Sequence, residues 1–177
     1  MNIEYEVRVL EIDKEQLVNK LEELGATFKG KYEQKRYVYD IIPKCDGKWL
    51  RLRTNGKETT LTYKSVEKNS IDGTKELEIK VDDFEKTNEL LKTAGILPKG
   101  YQENNRTQYV LDGVEIDIDS WPLIPTYVEI EGKDEENVNK ILKKLDLQEK
   151  KVTALDVQSV YEKIYNIDIS KIEVLKF

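Results

Sequence analysis

Ile3-Glu4-Tyr5-Glu6-Val7-Arg8-Val9 alternates apolar and charged residues at every step, the period of a β-strand with one apolar and one polar face. Successive side chains point to opposite faces, so Glu4, Glu6 and Arg8 share one side, with the two carboxylates about 7 Å apart. Ile3, Tyr5, Val7 and Val9 share the other. The Glu-x-Glu pattern returns at Glu76-Leu77-Glu78 and Glu129-Ile130-Glu131, each time in a strand-like stretch followed by a helix. Repeated paired acids of this kind point to a divalent-metal site.

Outward from these pairs, three helices are predicted. The first covers residues 14 to 24, with Asp13 as N-cap, Gln16 at the capping-box position, Leu17, Leu21 and Leu24 on one face, and Gly25 as the stop. The second covers 84 to 94 between Asp83 and Gly95, and the third covers 135 to 145 with Val138, Ile141, Leu142 and Leu145 inward. Period-two stretches predict strands near residues 2 to 10, 32 to 41, 48 to 54, 58 to 66, 74 to 81, 101 to 111, 113 to 120 and 126 to 132. Asn55-Gly56, Asp72-Gly73 and Asp112-Gly113 predict antiparallel hairpins. The expected fold is therefore α+β, an antiparallel sheet of eight strands that curls or closes into a barrel, with helices packed outside.

Sorted by parity, one face of this sheet carries Glu4, Glu6, Arg8, Arg51, Arg53, Thr62, Lys64, Glu76, Glu78, Asn104, Arg106, Asp117, Asp119, Glu129 and Glu131. The other face carries Val7, Val9, Leu50, Leu52, Leu77, Ile79, Val81, Ile116 and Ile118, expected beneath the helices. The charged face lies either in open solvent or inside a water-filled barrel. Acids and bases on nearly every strand favour enclosure. Carboxylates are hard oxygen ligands for Mg²⁺ or Mn²⁺, and Arg and Lys complement phosphate oxygens, so together they suit a metal-bound polyphosphate. No Gly-rich phosphate loop is present, which leaves side chains to hold the phosphates.

Composition narrows the classes further. The 177 residues predict one domain, and 38% hydrophobic with 36% charged residues is compatible with folding because the apolar residues fall in periodic runs. A net charge of -6 argues against a nucleic-acid partner. Cys45 is the only cysteine and histidine is absent, so a disulfide framework, a thiolate metal site and an imidazole base are all excluded. The N-terminus lacks an apolar signal core and no apolar run reaches membrane length, which predicts a cytoplasmic chain with no membrane contact.

In order along the chain, Glu4-Tyr5-Glu6-Val7-Arg8, Leu50-Arg51-Leu52-Arg53, Leu61-Thr62-Tyr63-Lys64, Glu76-Leu77-Glu78, Arg106, Tyr109-Val110-Leu111-Asp112-Gly113, Asp119 and Glu129-Ile130-Glu131 resemble the motifs of the CYTH family, the triphosphate tunnel metalloenzymes. The resemblance covers residues 1 to about 145 of a single domain spanning 1 to 177, and leaves 151 to 177 as a C-terminal helical extension. It implies a closed eight-stranded tunnel, a triphosphate substrate and Mg²⁺ or Mn²⁺. By position it implies Glu4, Glu6, Glu129 and Glu131 as metal ligands. Arg8, Arg51, Arg53, Lys64 and Arg106 become phosphate clamps, and Asp119, Glu76 and Glu78 groups that bind metal, position water or hold the basic residues. Three positions depart from the family pattern: Arg8 replaces a lysine, Asn104 stands where a lysine is expected, and Pro125 stands where a glycine is usual.

The leading expectation is an enzyme that hydrolyses tripolyphosphate, a nucleoside triphosphate or thiamine triphosphate. The alternatives are a class IV adenylate cyclase that makes cyclic AMP and pyrophosphate from ATP, and a non-catalytic nucleotide- or polyphosphate-binding module. Whether the chain forms a homodimer stays open at this stage.

Overall fold

The computed structural model describes Met1–Phe177 and realises the opening alternation as strand β1 (Asn2–Val9). The Asp13 side chain accepts a hydrogen bond from the Gln16 amide and starts helix α1 (Lys14–Glu23). Strands β2 (Thr27–Asp40), β3 (Lys48–Thr54), β4 (Thr59–Val66) and β5 (Thr74–Val81) follow, then helix α2 (Phe84–Thr93). After it come β6 (Pro98–Leu111), β7 (Val114–Ser120), β8 (Tyr127–Gly132) and helix α3 (Glu135–Lys144). Asp83 and Asp134 cap α2 and α3 as Asp13 caps α1, each accepting an amide hydrogen bond from the third residue after it. The chain ends with β9 (Val152–Thr153), helix α4 (Val157–Ser159), which continues as a π-helical turn over Val160–Ile164, a 3-10 turn at Ile169–Lys171, and β10 (Val174–Leu175).

The sheet runs β6-β2-β3-β4-β5-β1-β8-β7, and β7 pairs back onto β6, which closes an eight-stranded antiparallel barrel. Each expected hairpin forms. The third turns through Asp112 at φ 53° and Gly113 at φ 79°, two consecutive positive values that match the twist of the strands they join. Both β2 and β6 begin earlier than their alternation suggests. In β2 the cause is a bulge between Phe28 and Gly30, where the pairing register shifts and Gly30 takes φ 153°. That positive φ favours glycine, and a Cβ at Gly30 would in addition displace the Tyr32 ring, whose hydroxyl would lie 2.7 Å from it. In β6 the early start takes in Pro98 and Gly100, ahead of the alternation that begins at Tyr101.

The main core lies outside the barrel wall. Val7 and Val9 of β1, Ile116 and Ile118 of β7, and Val128 and Ile130 of β8 pack under Leu17 and Leu21 of α1 and Val138, Ile141 and Leu142 of α3. Each such side chain contributes about 1.5–3 kcal/mol through burial. The cover is uneven. Leu77 and Ile79 were expected beneath a helix and are instead 57% and 54% exposed, because α2 sits over β2 and β3, with Phe84 stacked on Tyr37 and Asn88 bonded to the Tyr39 hydroxyl. Ile3 and Leu24 are likewise exposed. Parity names the face opposite the charges but not which part of it a helix reaches.

A second core gathers Leu10, Trp121, Ile124 and Tyr127 with Val160, Tyr161, Ile169 and Leu175. It fixes the C-terminal segment across one end of the barrel. There β9 pairs with β1 at Arg8 and Val9, and β10 adds in parallel to β6 at Tyr101 and Gln102. No helix is long and apolar enough to cross a membrane.

Candidate active site

The interior of the barrel is charged on every side, and its charges are sorted. On the β1–β8 wall, Glu6 stands directly opposite Glu131 in the strand register, and Glu131 is in turn opposite Glu115 of β7. Like charges directly opposite one another are destabilising unless something neutralises them. Glu4, Glu6 and Glu131 offer carboxylate oxygens within 4.8 Å of one another. The strain shows in the acidities. Burial, with Glu129, Glu4 and Glu6 nearby, pushes the Glu131 carboxyl up to about 8, and burial raises Glu4 even though Lys64 pulls it down. Three converging hard oxygens, with Glu4 and Glu6 each paired to one cation and Glu131 to none, fit Mg²⁺ or Mn²⁺.

Glu129 sits in a different environment. Its carboxylate lies 2.5 Å from Arg8 and 3.2 Å from Arg106, and these cations, with Lys64 and Arg51, hold it well below the usual carboxylate range against the opposing effect of burial. The four metal candidates therefore divide: Glu4, Glu6 and Glu131 converge, while Glu129 adjoins them through its arginine partners.

The bases form the remaining walls. Arg51 of β3, Thr62 of β4 and Glu78 of β5 occupy one register row, with the Thr62 hydroxyl donating to Glu78 at 2.6 Å and Arg51 lying 3.5 Å from the same carboxylate. Arg53 is 3.9 Å from it. Burial and the charges of Arg51 and Arg106 bring the Arg53 guanidinium down to about 10. Lys64 bonds both oxygens of Glu4 and lies 3.4 Å from Glu76. Arg106 donates from Nε and Nη2 to the two oxygens of Asp119 at 2.9 and 2.6 Å and also pairs with Asp117. Asp119, Glu76 and Glu78 thus all contact basic side chains, one of the three roles expected of them. Arg8 bonds Glu6 at 3.3 Å and the Leu155 carbonyl at 2.8 Å.

Sequence reading passed over several residues of this interior. Gln34 and Arg36 of β2 are buried in it. The signal was present, since Tyr37 and Tyr39 mark the outer face and the same parity turns Gln34 and Arg36 inward. Asp117 was placed on the charged face without a role. Burial, with Asp119 and Glu129 close by and only Arg106 opposing, pushes its carboxyl to about 7. The cavity at this end is lined by Glu6, Arg8, Arg36, Arg51 and Lys64, and also by Val38, Trp49 and Val66 and by Asp156, Gln158 and Ser170 of the C-terminal segment. Nothing in the local pattern of residues 151 to 177 announces that contribution, because it arises from tertiary packing.

A closed antiparallel barrel with helices outside thus encloses an acid cluster and arginine-rich walls. A CYTH domain model matches residues 2–159, and the chain belongs to that family. The match continues past residue 145 into the C-terminal segment. Among solved structures, a Pyrococcus horikoshii protein is 26% identical with a TM-score of 0.75, the alignment covering 87% of this chain and 96% of that one. A conserved hypothetical protein from Pyrococcus furiosus is 25% identical with a TM-score of 0.76, covering 87% and 97%. An adenylyl cyclase candidate from Hippeastrum with a dominant triphosphatase activity shares the fold at 17% identity and a TM-score of 0.63, covering 94% and 97%. No curated protein matches the chain in sequence.

Proposed function

We propose that the chain is a divalent-metal-dependent enzyme that hydrolyses a triphosphate. The observation that carries this reading is that the acid cluster of Glu4, Glu6 and Glu131 adjoins, through Glu6, a cavity lined by Arg8, Arg36, Arg51 and Lys64. Mg²⁺ or Mn²⁺ held by Glu4, Glu6 and Glu131, with Glu129 alongside, would polarise a phosphoryl group and offset its charge. Arg51, Arg53, Lys64 and Arg106, with Arg8 at the cavity wall, neutralise the phosphate oxygens and align the chain of phosphorus atoms for in-line attack by water.

Asp119, Glu76 and Glu78 keep those bases oriented, and the covering C-terminal segment limits entry of bulk water, so the charged contacts act at low dielectric. Arg8 remains cationic under all working conditions, because Glu129 and Glu6 raise its already high basicity despite burial. It therefore serves as a clamp and an anchor for Glu129, not as a base.

Val38, Trp49 and Val66 border the same cavity and suit an organic group attached to the triphosphate. That observation keeps the cyclase reaction of ATP as the second reading. The test is incubation with Mg²⁺ or Mn²⁺ and tripolyphosphate, ATP or thiamine triphosphate, with phosphate, pyrophosphate and cyclic AMP resolved afterwards. Phosphate release is expected. Pyrophosphate with cyclic AMP would assign the cyclase reaction instead, and tight binding without turnover would leave a binding module.

A further inference from the structure

Arg36 is the odd member of the tunnel's arginines. Arg8, Arg51, Arg53 and Arg106 each have a carboxylate oxygen within 4.0 Å, and Arg36 has none. Its side chain is nevertheless almost fully enclosed, and its Nε has no hydrogen-bond partner. Arg36 stands directly opposite Arg53 in the β2–β3 register, a pairing of like charges that weakens the sheet in the absence of an anion.

The guanidinium is nonetheless held firmly by neutral groups. It lies 4.5 Å above the centre of the Trp121 ring, and Nη2 donates to Gln34 Oε1 at 3.0 Å and to Asn104 Oδ1. Asn104 in turn donates through Nδ2 to Asp119 at 3.1 Å, which fixes its amide with the oxygen toward Arg36. A cation that is buried, rigid, short of counter-charge and exposed to the cavity is built to receive a negative group. Its basicity points the same way, lowered well below the ordinary value by burial and then by Arg51, Arg53 and Arg106.

We infer that Arg36 is a further substrate-binding residue that forms, with Arg53, a two-guanidinium fork for a phosphate of the bound triphosphate, and that Asn104 and Trp121 are its positioning residues. The inference rests on the triphosphate reading above. It also gives the uncharged residue at position 104 a purpose, since Asn104 links Arg36 to Asp119 in place of carrying a charge itself. A lysine at 104 would bring a cation to the same side of Asp119.

The test compares wild type, Arg36→Lys, Arg36→Gln and Arg36→Gln with Asn104→Lys, using calorimetric binding of inorganic tripolyphosphate and its turnover with Mn²⁺, with thermal melts to confirm folding. Loss of a charged contact predicts that Arg36→Gln binds tripolyphosphate at least about tenfold more weakly. Arg36→Lys, which keeps the charge but loses the fork, should lie between the two, and Asn104→Lys should restore most of the loss. Binding by Arg36→Gln within about twofold of wild type, or an unfolded Arg36→Gln together with wild-type binding by Arg36→Lys, would overturn the inference while leaving the triphosphatase reading standing if wild type still hydrolyses the substrate. Arg36-dependent binding without hydrolysis would support the inference and sink the enzyme reading. No binding by wild type would overturn both.

Discussion

Lys64 Nζ lies 2.9 and 2.8 Å from the two carboxylate oxygens of Glu4, a contact that reaches over β5 from β4 to β1. The ammonium proposed to meet phosphate thus holds the carboxylate proposed to meet metal, and binding of the two ligands would release each partner for its own task. Lys64→Gln should free Glu4 and tighten Mn²⁺ binding to the substrate-free chain several-fold. The same change should raise KM for the triphosphate roughly tenfold or more, the cost of about 1.5–3 kcal/mol for a charged hydrogen bond. Calorimetry and steady-state kinetics read the two effects separately. Weaker Mn²⁺ binding in the variant would show that Lys64 and the metal do not compete.

Replacing Glu4 and Glu6 together by Gln keeps side-chain shape and removes two of the three converging carboxylates. Metal-dependent turnover should vanish, as it should when a chelator is added to wild type. The fold should persist, because the main core involves neither residue. A far-ultraviolet spectrum and a melt close to wild type would confirm that, and residual turnover in the double variant would remove these acids from the metal site.

Glu131 gives a pH dependence with a definite sign. Burial and the neighbouring carboxylates push its carboxyl from 4.5 up to about 8 in the fold. Between those values the folded chain holds a proton that the unfolded chain has released, so the metal-free protein loses stability as pH rises through that window. Glu4, raised by burial, acts in the same direction. Metal binding must displace the proton, so Mn²⁺ affinity should rise with pH up to about 8, and Mn²⁺ should raise the melting temperature more near pH 8.5 than near pH 6. Glu131→Gln should flatten that difference. A metal-induced shift independent of pH in wild type would contradict the assignment.

The barrel was legible because its signals are local: alternation in β1, caps at Asp13, Asp83 and Asp134, and Asx-Gly turns all act within a few residues. Parity gave the charged face, and the recurrence of acids and bases on nearly every strand favoured its enclosure. What stayed hidden depends on contacts distant in sequence. The pairing of Glu6 with Glu131, the withdrawal of Glu129 toward Arg8 and Arg106, and the exposure of Leu77 and Ile79 are set by register and helix placement. Asn104 read as a missing charge until β2 brought Arg36 beside it.

The C-terminal segment makes the last prediction, because Tyr161 ties it to Pro122 and Trp121 at the end of the barrel. Tyr161 is fully buried, donates its hydroxyl to the Pro122 carbonyl at 2.6 Å and meets the Trp121 ring edge-on, while Leu155 accepts from Arg8. Tyr161→Phe keeps the ring and leaves the Pro122 carbonyl without that partner. The expected loss is about 1–3 kcal/mol, read as a lower urea midpoint with an unchanged slope. Because Trp121 supports Arg36 from below, the same variant should also raise KM for the triphosphate while kcat changes less. A stability loss with KM unaltered would mean that the segment braces the barrel without reaching the substrate.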